Sequence, residues 1–474
     1  MTKFLDPLDS AFILLENPGT SMNIGAVIEL EGRDEDPAIR FEEIRSVIAE
    51  RLHEIPVLTQ RVVRAPFDMT WPILVEDDRF DLDRHVVRVA LPLPGSAQQL
   101  DELVSDFLSR SLSAQRPAWQ LLVIEGTDDG RAVVVVKMHH ALADGVSFAE
   151  TIANFFDISP EIRAPQARVE VDGEESTVTT SLGLFREGLT RLREQPSRVL
   201  ESLASWGGRS YEIVRALASV VAVHGRRHAT PDQPSIFEAK RTSLNGTAGI
   251  EKTFLRTRVS LADVKRAAKA RGASVTDFVL VSVGGALKRL LDERGEVLTS
   301  DLVAFVPINV RSGDTSDLGN QISGMLVTLH VDLEDREERL RAISGDSSKT
   351  VVDQRLRRAR IFQDVPRVLG PTLLSLAGKL LTTFGLFERL PMANVMISSV
   401  PGPPVALWLS GRRVLSAAPY GPLLGSISLN ITVLGFEENL EFGLLGCAER
   451  IADIQRLRDL IAEESEALIA STPS

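Results

Sequence analysis

The sequence predicts an α/β (α+β) fold built from two halves. The length of 474 residues is about three times that of a typical domain, so one compact core is not expected. Segments with strand-like and helix-like patterns alternate on both sides of an irregular connection. The composition, with 44% hydrophobic and 25% charged residues, is ordinary for a globular chain and argues against intrinsic disorder and an integral membrane bundle.

The first half combines amphipathic helices with a β-hairpin. Two β-branched runs, 121–125 and 131–138, flank an Asp-Gly turn at 127–130, which is typical of a hairpin. The second run is apolar without interruption from Ala132 to Val136, and we therefore expect it deep in a sheet. Apolar residues recur at helical spacing in 40–55, 98–112 and 146–157.

An irregular connection separates the two halves. From Pro160 to about Thr180 prolines and charges replace large apolar residues, as in exposed connections. We therefore divide the chain into a first half at 1–170, a helical connection at 171–239 and a second half at 240–474. The second half has helical patterns at 261–271, 275–292 and 449–471, and strand patterns at 301–310, 322–333, 394–400 and 427–436.

Charge and cysteine content exclude several classes of protein. Acidic residues outnumber basic ones, 65 against 53, for a net charge of −12, whereas a nucleic-acid surface normally needs a basic excess. The single cysteine, Cys447, excludes an internal disulfide framework and a thiolate-cluster metal site. The first residues lack the basic stretch and long apolar run of a signal peptide, so we expect a cytoplasmic protein without a nucleic-acid partner.

The longest apolar segment lies at 365–390. Arg367 and Lys379 interrupt it, and Pro371 adds a break, so it does not meet the need of a membrane-spanning helix for roughly 20 uncharged residues. Two interpretations remain open at this point: a partly buried helix, or an amphipathic segment that faces lipid.

One motif carries chemistry, and it follows directly after the buried strand at 131–138. It reads His139-His140-Ala141-Leu142-Ala143-Asp144-Gly145 and precedes a helical pattern. A rigid strand fixes the position of the side chains at its end, and adjacent residues of an extended backbone point to opposite sides. Only one of the two histidines can therefore face a given reaction site. Gly145 permits a tight turn, and Ser147 can cap the following helix.

The residues of this motif leave three interpretations open. The histidines can form a structural pair, with one of them hydrogen-bonded in the core. A metal site is possible in principle, but no third histidine lies at i+3 or i+4 and the HExxH spacing is absent. The third interpretation is general-base catalysis by one neutral histidine, whose ordinary pKa of about 6.5 suits that role.

The HHxxxDG motif resembles that of the CoA-dependent acyltransferase superfamily, which includes chloramphenicol acetyltransferase and the condensation domains of peptide synthetases. Nearly end to end, the chain is similar to the bacterial wax ester synthase/diacylglycerol acyltransferases. The segments that carry this resemblance are DPLDSAFILLENPGTSMNIGAVIEL (6–30), RPAWQ (116–120), TSLNG (242–246), VTDFVLVSVGGAL (275–287), ISSVPGPP (397–404) and LGSISLNITVLGF (424–436).

The resemblance implies a fold, a reaction and partners. The fold would be two chloramphenicol-acetyltransferase-like domains with an active-site tunnel at their interface. The reaction would be transfer of a long-chain acyl group from acyl-CoA, as co-substrate, to diacylglycerol or a long-chain alcohol. No metal and no further cofactor would be needed. Lipid substrates imply a protein that meets a membrane or lipid-droplet surface peripherally.

The resemblance also implies roles for the motif residues. His140 would be the general base, with His139, Asp144 and Gly145 as the other catalytic candidates. Asp144 would pair with an arginine; Arg311 is a candidate, with a solvent-exposed loop position as the alternative. Ser147 and backbone N–H groups near Gly145 are candidate donors to the oxyanion, with helix capping as the alternative for Ser147.

Three further residues are candidates for substrate binding, each with a structural alternative. Trp119 would be a wall of the acyl tunnel or a core aromatic residue. Asn430, a polar residue among apolar ones, would be a site group or a satisfied sheet residue. Asp277 would contact substrate or favour a helix N-terminus.

The chain departs from the family pattern at three positions. Ala118 stands for the leucine of a Pro-Leu-Trp motif, Thr276 for an asparagine beside Asp277, and Ser399 for an asparagine before Val400. These departures keep two alternatives open: a catalytically altered or silent lipid-binding or lipid-droplet protein, and a condensation-type acyltransferase that forms amides.

Overall fold

The computed structural model describes residues 4–17, 19–32, 37–143, 145–164, 180–186, 239–309, 322–357, 359–383, 391–403 and 405–472. The α-helices are α1 Pro7–Leu15, α2 Pro37–Arg51, α3 Ala97–Ser109, α4 Gly145–Ala153, α5 Leu261–Ala270, α6 Val275–Glu293, α7 Arg336–Arg357, α8 Ala359–Thr383 and α9 Ile454–Ala470. Short 3-10 helices lie at Leu52–Glu54, Pro56–Thr59, Pro66–Asp68 and Leu82–Arg84.

The β-strands form two six-stranded sheets and a small two-stranded sheet. Their bounds are β1 Asn23–Leu30, β2 Gln60–Val63, β3 Ile73–Glu76, β4 Val86–Ala90, β5 Trp119–Glu125, β6 Ala132–His139, β7 Lys252–Ser260, β8 Val303–Asn309, β9 Ile322–Thr328, β10 Val395–Val400, β11 Trp408–Leu409, β12 Arg412–Tyr420, β13 Leu429–Phe436 and β14 Asn439–Cys447. This mixed architecture confirms the predicted fold class.

The first sheet has the strand order β11-β12-β1-β6-β5-β4. Strands β5 and β6 pair antiparallel, which confirms the predicted hairpin, and β1 lies antiparallel between β6 and β12. Every residue of β6 is buried, as its uninterrupted apolar run predicts. Strands β11 and β12 belong to the predicted second half of the chain, so this sheet is completed by residues far from its other strands in sequence.

The second sheet has the order β7-β14-β13-β10-β8-β9. Strand β10 is parallel to both β13 and β8, and the remaining pairs are antiparallel. A large apolar core joins one face of this sheet to α6 and α9; among its members are Phe278, Leu287, Ile431, Phe442 and Leu457.

The two faces of the first sheet pack against different parts of the chain. On one face, alternate residues such as Val134 and Val136 share a core with helix α2. On the other face, Val27 and Val135 share a core with Phe254 of strand β7. Both faces therefore contact the second half, since the core with α2 also contains Leu409, Val414 and Phe436.

The predicted helical connection lies mostly outside the described residues. Of the range 171–239, the structure describes 180–186 and residue 239. Leu184 is fully buried against Val63, Ala65, Ile73 and Val75, so this short helical piece packs on the two-stranded sheet. The division of the chain at 170 and 240 stays a prediction.

Residues 365–383 of the apolar segment at 365–390 lie in α8, which ends at Thr383. Leu374 packs against Ala11 and Leu14 of α1, whereas Leu376 and Leu380 are exposed. The described part of this segment is thus a helix with one buried and one exposed apolar face. Within the ranges that the structure describes, no helix has the length and apolar character required to cross a bilayer.

Candidate active site

The two histidines of the motif lie at the end of strand β6. The His140 backbone N–H donates to the Met22 carbonyl at 2.7 Å, so the pairing between β1 and β6 continues through His140. In this register Asn23 lies directly opposite His139. Strand β6 ends at His139, and His140 lies in the turn that follows, in which the Leu142 N–H donates to the His139 carbonyl at 3.0 Å. That the two side chains point to opposite sides stays a prediction.

Protein groups engage both ring nitrogens of His139. Its Nδ1 accepts a hydrogen bond from the Ala141 N–H at 3.1 Å, and its Nε2 lies 3.5 Å from Glu16 Oε2. An accepting Nδ1 places the proton of a neutral ring on Nε2, where it faces the carboxylate. Only 6% of His139 is exposed. His139 thus braces the turn that follows the strand.

Glu16 joins this turn to the N-terminal segment. Its Oε1 accepts a hydrogen bond from the Met22 N–H at 3.1 Å, and its Oε2 faces His139. Partial burial raises the pKa of the Glu16 carboxyl, but the hydrogen bond and charge of His139, the Met22 N–H and the charge of Arg64 outweigh burial and lower the pKa overall. Glu16 is therefore ionised at neutral pH.

The His140 imidazole stacks on an aromatic ring of helix α1. The centroids of the Phe12 and His140 rings are 4.3 Å apart and the ring planes differ by 18°. Only 7% of His140 is exposed. Helix α1 begins after Asp6, whose side chain accepts from the Leu8 N–H, with Pro7 in the first turn. The stacking fixes the plane in which the His140 ring nitrogens lie.

Two buried polar side chains lie at or just before the start of β1, and one of them, Asn23, is paired with His139. The two polar atoms of the Asn23 carboxamide have no hydrogen-bond partner within the part of the chain that the structure describes. The same holds for the Thr20 hydroxyl. Both residues are 4% exposed. A buried polar group without a partner is costly, of order 1–3 kcal/mol, and such groups concentrate at functional sites.

The structure leaves part of the predicted motif undescribed. Asp144 and its candidate partner Arg311 lie outside the described residues. Gly145 is the first residue of α4, and Ser147 lies in the same helix with its side chain outside the description. Their predicted roles stay predictions.

Trp119 lies in the core that joins the first sheet to helix α2. Its indole N–H donates to the Leu58 carbonyl at 2.7 Å, and its ring stacks on His85 at 4.7 Å. Trp119 pairs with Met138 across the strands, and both belong to the core that includes helix α2. These contacts are those of a core aromatic residue. Its assignment to the acyl tunnel stays a prediction.

Asp277 and Asn430 have protein partners for their polar atoms. Asp277 Oδ2 accepts from the Ser274 N–H and hydroxyl, while the Asp277 N–H donates to Ser274 Oγ, which forms a capping box at the start of α6. The Asn430 amide donates to the Pro422 carbonyl at 3.0 Å, and its Oδ1 accepts from the Thr432 hydroxyl at 2.7 Å. These contacts correspond to the structural alternatives; substrate binding by either residue stays a prediction.

The three departures from the family pattern differ in their surroundings. Ala118 is half-buried, and its carbonyl accepts from the His139 N–H at 2.9 Å, a contact that does not depend on the side chain. Thr276 is half-buried in the first turn of α6, and Ser399 is exposed on β10. The Ala118 backbone thus supports the histidine turn whatever side chain it carries.

Sequence reasoning missed three residues that contact or face the histidine pair: Phe12, Glu16 and Asn23. All three lie in the segment 6–30 that carries the family resemblance, yet no motif spacing links them to HHxxxDG. The available signal was a polar residue, Asn23, at the start of a strand with alternating apolar residues. Their proximity to the histidines depends on the pairing of β1 with β6.

A group with the spacing of metal ligands lies away from the motif. Within the described residues, Asp301, His330 and Asp332 have ligand atoms within 4.8 Å of one another. His330 Nε2 is already hydrogen-bonded to Asp346 at 2.8 Å. The histidine motif itself is not part of this group.

The chain matches the family profile described as the wax ester synthase/diacylglycerol acyltransferase catalytic domain over residues 5–279 and the C-terminal domain of the same family over residues 318–468. The chain belongs to the wax ester synthase/diacylglycerol acyltransferase family. It is therefore an acyltransferase, and the family predicted from the ordered set of sequence segments is confirmed.

Relatives and solved structures agree with this family assignment. A Mycobacterium tuberculosis protein named as a probable diacylglycerol O-acyltransferase, tgs1, is 32% identical over 98% of this chain and 96% of its own length. A wax ester synthase/diacylglycerol acyltransferase from Marinobacter aquaeolei VT8 has the same fold, with a TM-score of 0.68, 23% identity and coverage of 99% of this chain and 100% of that one. The first condensation domain of the CDA synthetase, at 15% identity and a TM-score of 0.57, shares the fold over 100% of this chain and 97% of its own.

Proposed function

We propose that this acyltransferase transfers a long-chain acyl group from acyl-CoA to the hydroxyl of diacylglycerol or of a long-chain alcohol, with His140 as general base. The observation that carries the assignment is that the two histidine rings have different contacts. His139 has both ring nitrogens engaged by Ala141 and Glu16, whereas the His140 ring is held by stacking on Phe12. His140 is then the histidine suited to proton transfer.

The reaction balances with acyl-CoA as co-substrate and without a further cofactor. The hydroxyl oxygen attacks the thioester carbon while the His140 imidazole takes the hydroxyl proton. The carbon–sulfur bond then breaks, and the thiolate of CoA receives the proton from the imidazolium. General-base assistance contributes about 10²–10⁴-fold, and holding both substrates together supplies a further large part of the acceleration.

The acceptor class is inferred from relatives and from chemistry. The family name covers both wax esters and triacylglycerol, and the tgs1 relative is named for diacylglycerol. Both acceptors present a primary or secondary hydroxyl on a long apolar molecule, so the same general base serves either one. We therefore propose diacylglycerol as an acceptor, with long-chain alcohols as the alternative.

Lipid substrates require contact with a lipid surface, and one surface of the molecule suits peripheral contact. Leu376 and Leu380 are 44% and 45% exposed, one turn apart on α8. The turn at Pro66–Asp68 lies beside this helix, since the Thr372 hydroxyl donates to the Asp68 carbonyl, and it presents Phe67 with 82% of its surface exposed. An apolar stripe of this kind beside α1 is a candidate contact with a membrane or lipid droplet.

The test measures CoA release by the purified protein from palmitoyl-CoA in the presence of dioleoylglycerol or hexadecanol, with identification of the ester. His140→Gln preserves the approximate size of the ring and should reduce kcat by at least about 100-fold. His85→Gln is the matched control, because His85 is also buried and stacked on aromatic rings but lies on another element. It should retain activity.

Other outcomes would identify the alternatives. Equal CoA release by wild type and His140→Gln would remove the general-base assignment. Lipid binding by the wild type without CoA release from any acyl-CoA would indicate a silent lipid-binding protein. Turnover of a carrier-bound acyl group with an amine, together with inactivity on CoA thioesters, would indicate the condensation-type reaction.

A further inference from the structure

We propose that Glu16 is a positioning residue for the catalytic turn: its carboxylate holds His139 and the residue that pairs with His140, and so fixes the imidazole that takes the substrate proton. The inference rests on the proposed function, because it concerns the same general base. It assigns a role to a residue that lies outside the HHxxxDG motif and far from it in sequence.

The contacts form a closed ring around the turn. Glu16 Oε1 accepts from the Met22 N–H at 3.1 Å, and the Met22 carbonyl accepts from the His140 N–H at 2.7 Å. Glu16 Oε2 lies 3.5 Å from His139 Nε2, and His139 Nδ1 accepts from the Ala141 N–H at 3.1 Å. One carboxylate therefore restrains the residues on both sides of His140.

The ring requires a carboxylate specifically. Two donors, the Met22 N–H and the His139 Nε2–H, approach the two oxygens of Glu16. A glutamine would offer one oxygen and one NH₂ group, so one of these donors would face another donor. Glutamine would then disturb either the Met22 strand or the tautomer of His139.

The same segment also sets the plane of the base. Phe12 lies one turn before Glu16 in the chain and stacks on the His140 ring at 4.3 Å. Helix α1, which carries Phe12, packs on α8 through Leu14 and Leu374. The segment 12–22 thus contacts the proposed base through an aromatic ring and through backbone pairing, while Glu16 restrains its neighbour His139.

The surroundings of Glu16 determine what its replacement would remove. Burial raises the pKa of the Glu16 carboxyl, but the contacts with His139 and Met22 and the charge of Arg64 lower it overall, so the carboxylate carries a charge. Burial lowers the pKa of Lys252 on β7, and the charge of Glu16 opposes that shift. Glu16→Gln therefore removes a charge that faces His139 and an acceptor for one of its two donors.

The experiment compares Glu16→Gln and Glu16→Asp with wild type, using CoA release from palmitoyl-CoA. We expect Glu16→Gln to reduce kcat about 10- to 100-fold with little change in KM for palmitoyl-CoA. Glu16→Asp retains both carboxylate oxygens and should recover part of kcat, whereas a purely structural loss would also change KM or the amount of folded protein.

A matched control separates a local effect from a change in net charge. Glu31→Gln, at the opposite end of β1 and exposed, removes the same charge and should leave kcat unchanged. A wild-type kcat in Glu16→Gln would overturn the inference. So would equal losses of kcat in Glu16→Gln and Glu16→Asp, since the inference requires the two oxygens of a carboxylate rather than the length of the glutamate side chain. Inactivity of the wild type on acyl-CoA would instead contradict the proposed function.

Discussion

At the residue scale, a buried lysine lies close to the histidines in sequence, on strand β6. Lys137 is fully buried; its Nζ donates to the carbonyls of Phe107 and Arg110 at 2.6 and 2.8 Å and lies 4.1 Å from the centre of the Phe107 ring. Burial, together with the charges of Arg110 and Lys252, lowers the pKa of Lys137 to about 7. The folded protein thus releases this proton near neutral pH.

This pKa predicts a pH dependence of stability. An unfolded lysine keeps its proton up to pH about 10.4, so between pH 7 and that value the unfolded chain binds more protons than the folded chain. The contribution of Lys137 to the free energy of unfolding therefore rises with pH across this window. Urea unfolding of wild type and Lys137→Met at pH 6.5, 7.5 and 8.5 measures it. The difference in free energy of unfolding, wild type minus variant, should rise by about 1 kcal/mol per pH unit above pH 7. A constant difference would contradict the lowered pKa.

At the scale of elements, local capping signals explain where several helices begin. Ser96 and Gln99 form a capping box at the start of α3, and Ser274 and Asp277 form one at the start of α6. Both boxes can be read from the sequence, because each depends only on residues three positions apart. Strand β6 can likewise be predicted from local sequence, since its run of β-branched residues indicates a strand whichever strands pair with it.

The capping box of α6 separates the two interpretations of Asp277. Ser274→Ala removes the side chain that accepts from the Asp277 N–H and should lower the free energy of unfolding by about 1 kcal/mol. Asp277→Asn keeps an oxygen for the Ser274 N–H and should leave kcat and KM near wild type. Urea unfolding and CoA release measure the two effects. A loss of activity in folded Asp277→Asn larger than about 10-fold would instead support the predicted contact with substrate.

At the scale of the whole molecule, the two halves are joined through one sheet. Strand β12 pairs with β1 along the register from Gly25 opposite Tyr420 to Leu30 opposite Val414. The Tyr420 hydroxyl donates to the Val136 carbonyl at 3.0 Å, and complete burial raises the pKa of this phenol, so it stays a donor. Gly25 makes this packing possible: a Cβ atom there would lie 1.8 Å from the Val136 carbonyl oxygen.

The presence of β12 in the first sheet predicts that the first half does not fold alone. A fragment of residues 1–238 would lack β12 and expose the edge of β1, whose residues are all buried in the full chain. We expect this fragment to be mostly insoluble when expressed alone. Co-expression with residues 239–474 should give a soluble complex that releases CoA from palmitoyl-CoA. A soluble, cooperatively folded fragment 1–238 would contradict the prediction.

Much of the fold and part of the site could be predicted from the sequence. The helices at 97–109, 261–270 and 275–293 and the strand at 132–139 follow local periodicity closely. Strands β1, β7, β12 and β14 were not predicted, because their sequences mix polar and apolar residues without a strict alternation. Trp119 illustrates what cannot be predicted for a single residue. A tryptophan is compatible with a tunnel wall or with a core, and its contact with Leu58 is seen only in the structure.

By itself, the sequence determined the fold class, the family and the place of His139 and His140 at the end of a buried strand, because each depends on local order along the chain. Only the tertiary structure brought Glu16 to His139 and Phe12 to His140. Likewise, only the structure placed β12 in the first sheet. These contacts join residues that are distant in sequence. They are decided by which strands pair and in which register, and the cooperative packing of the whole chain sets both.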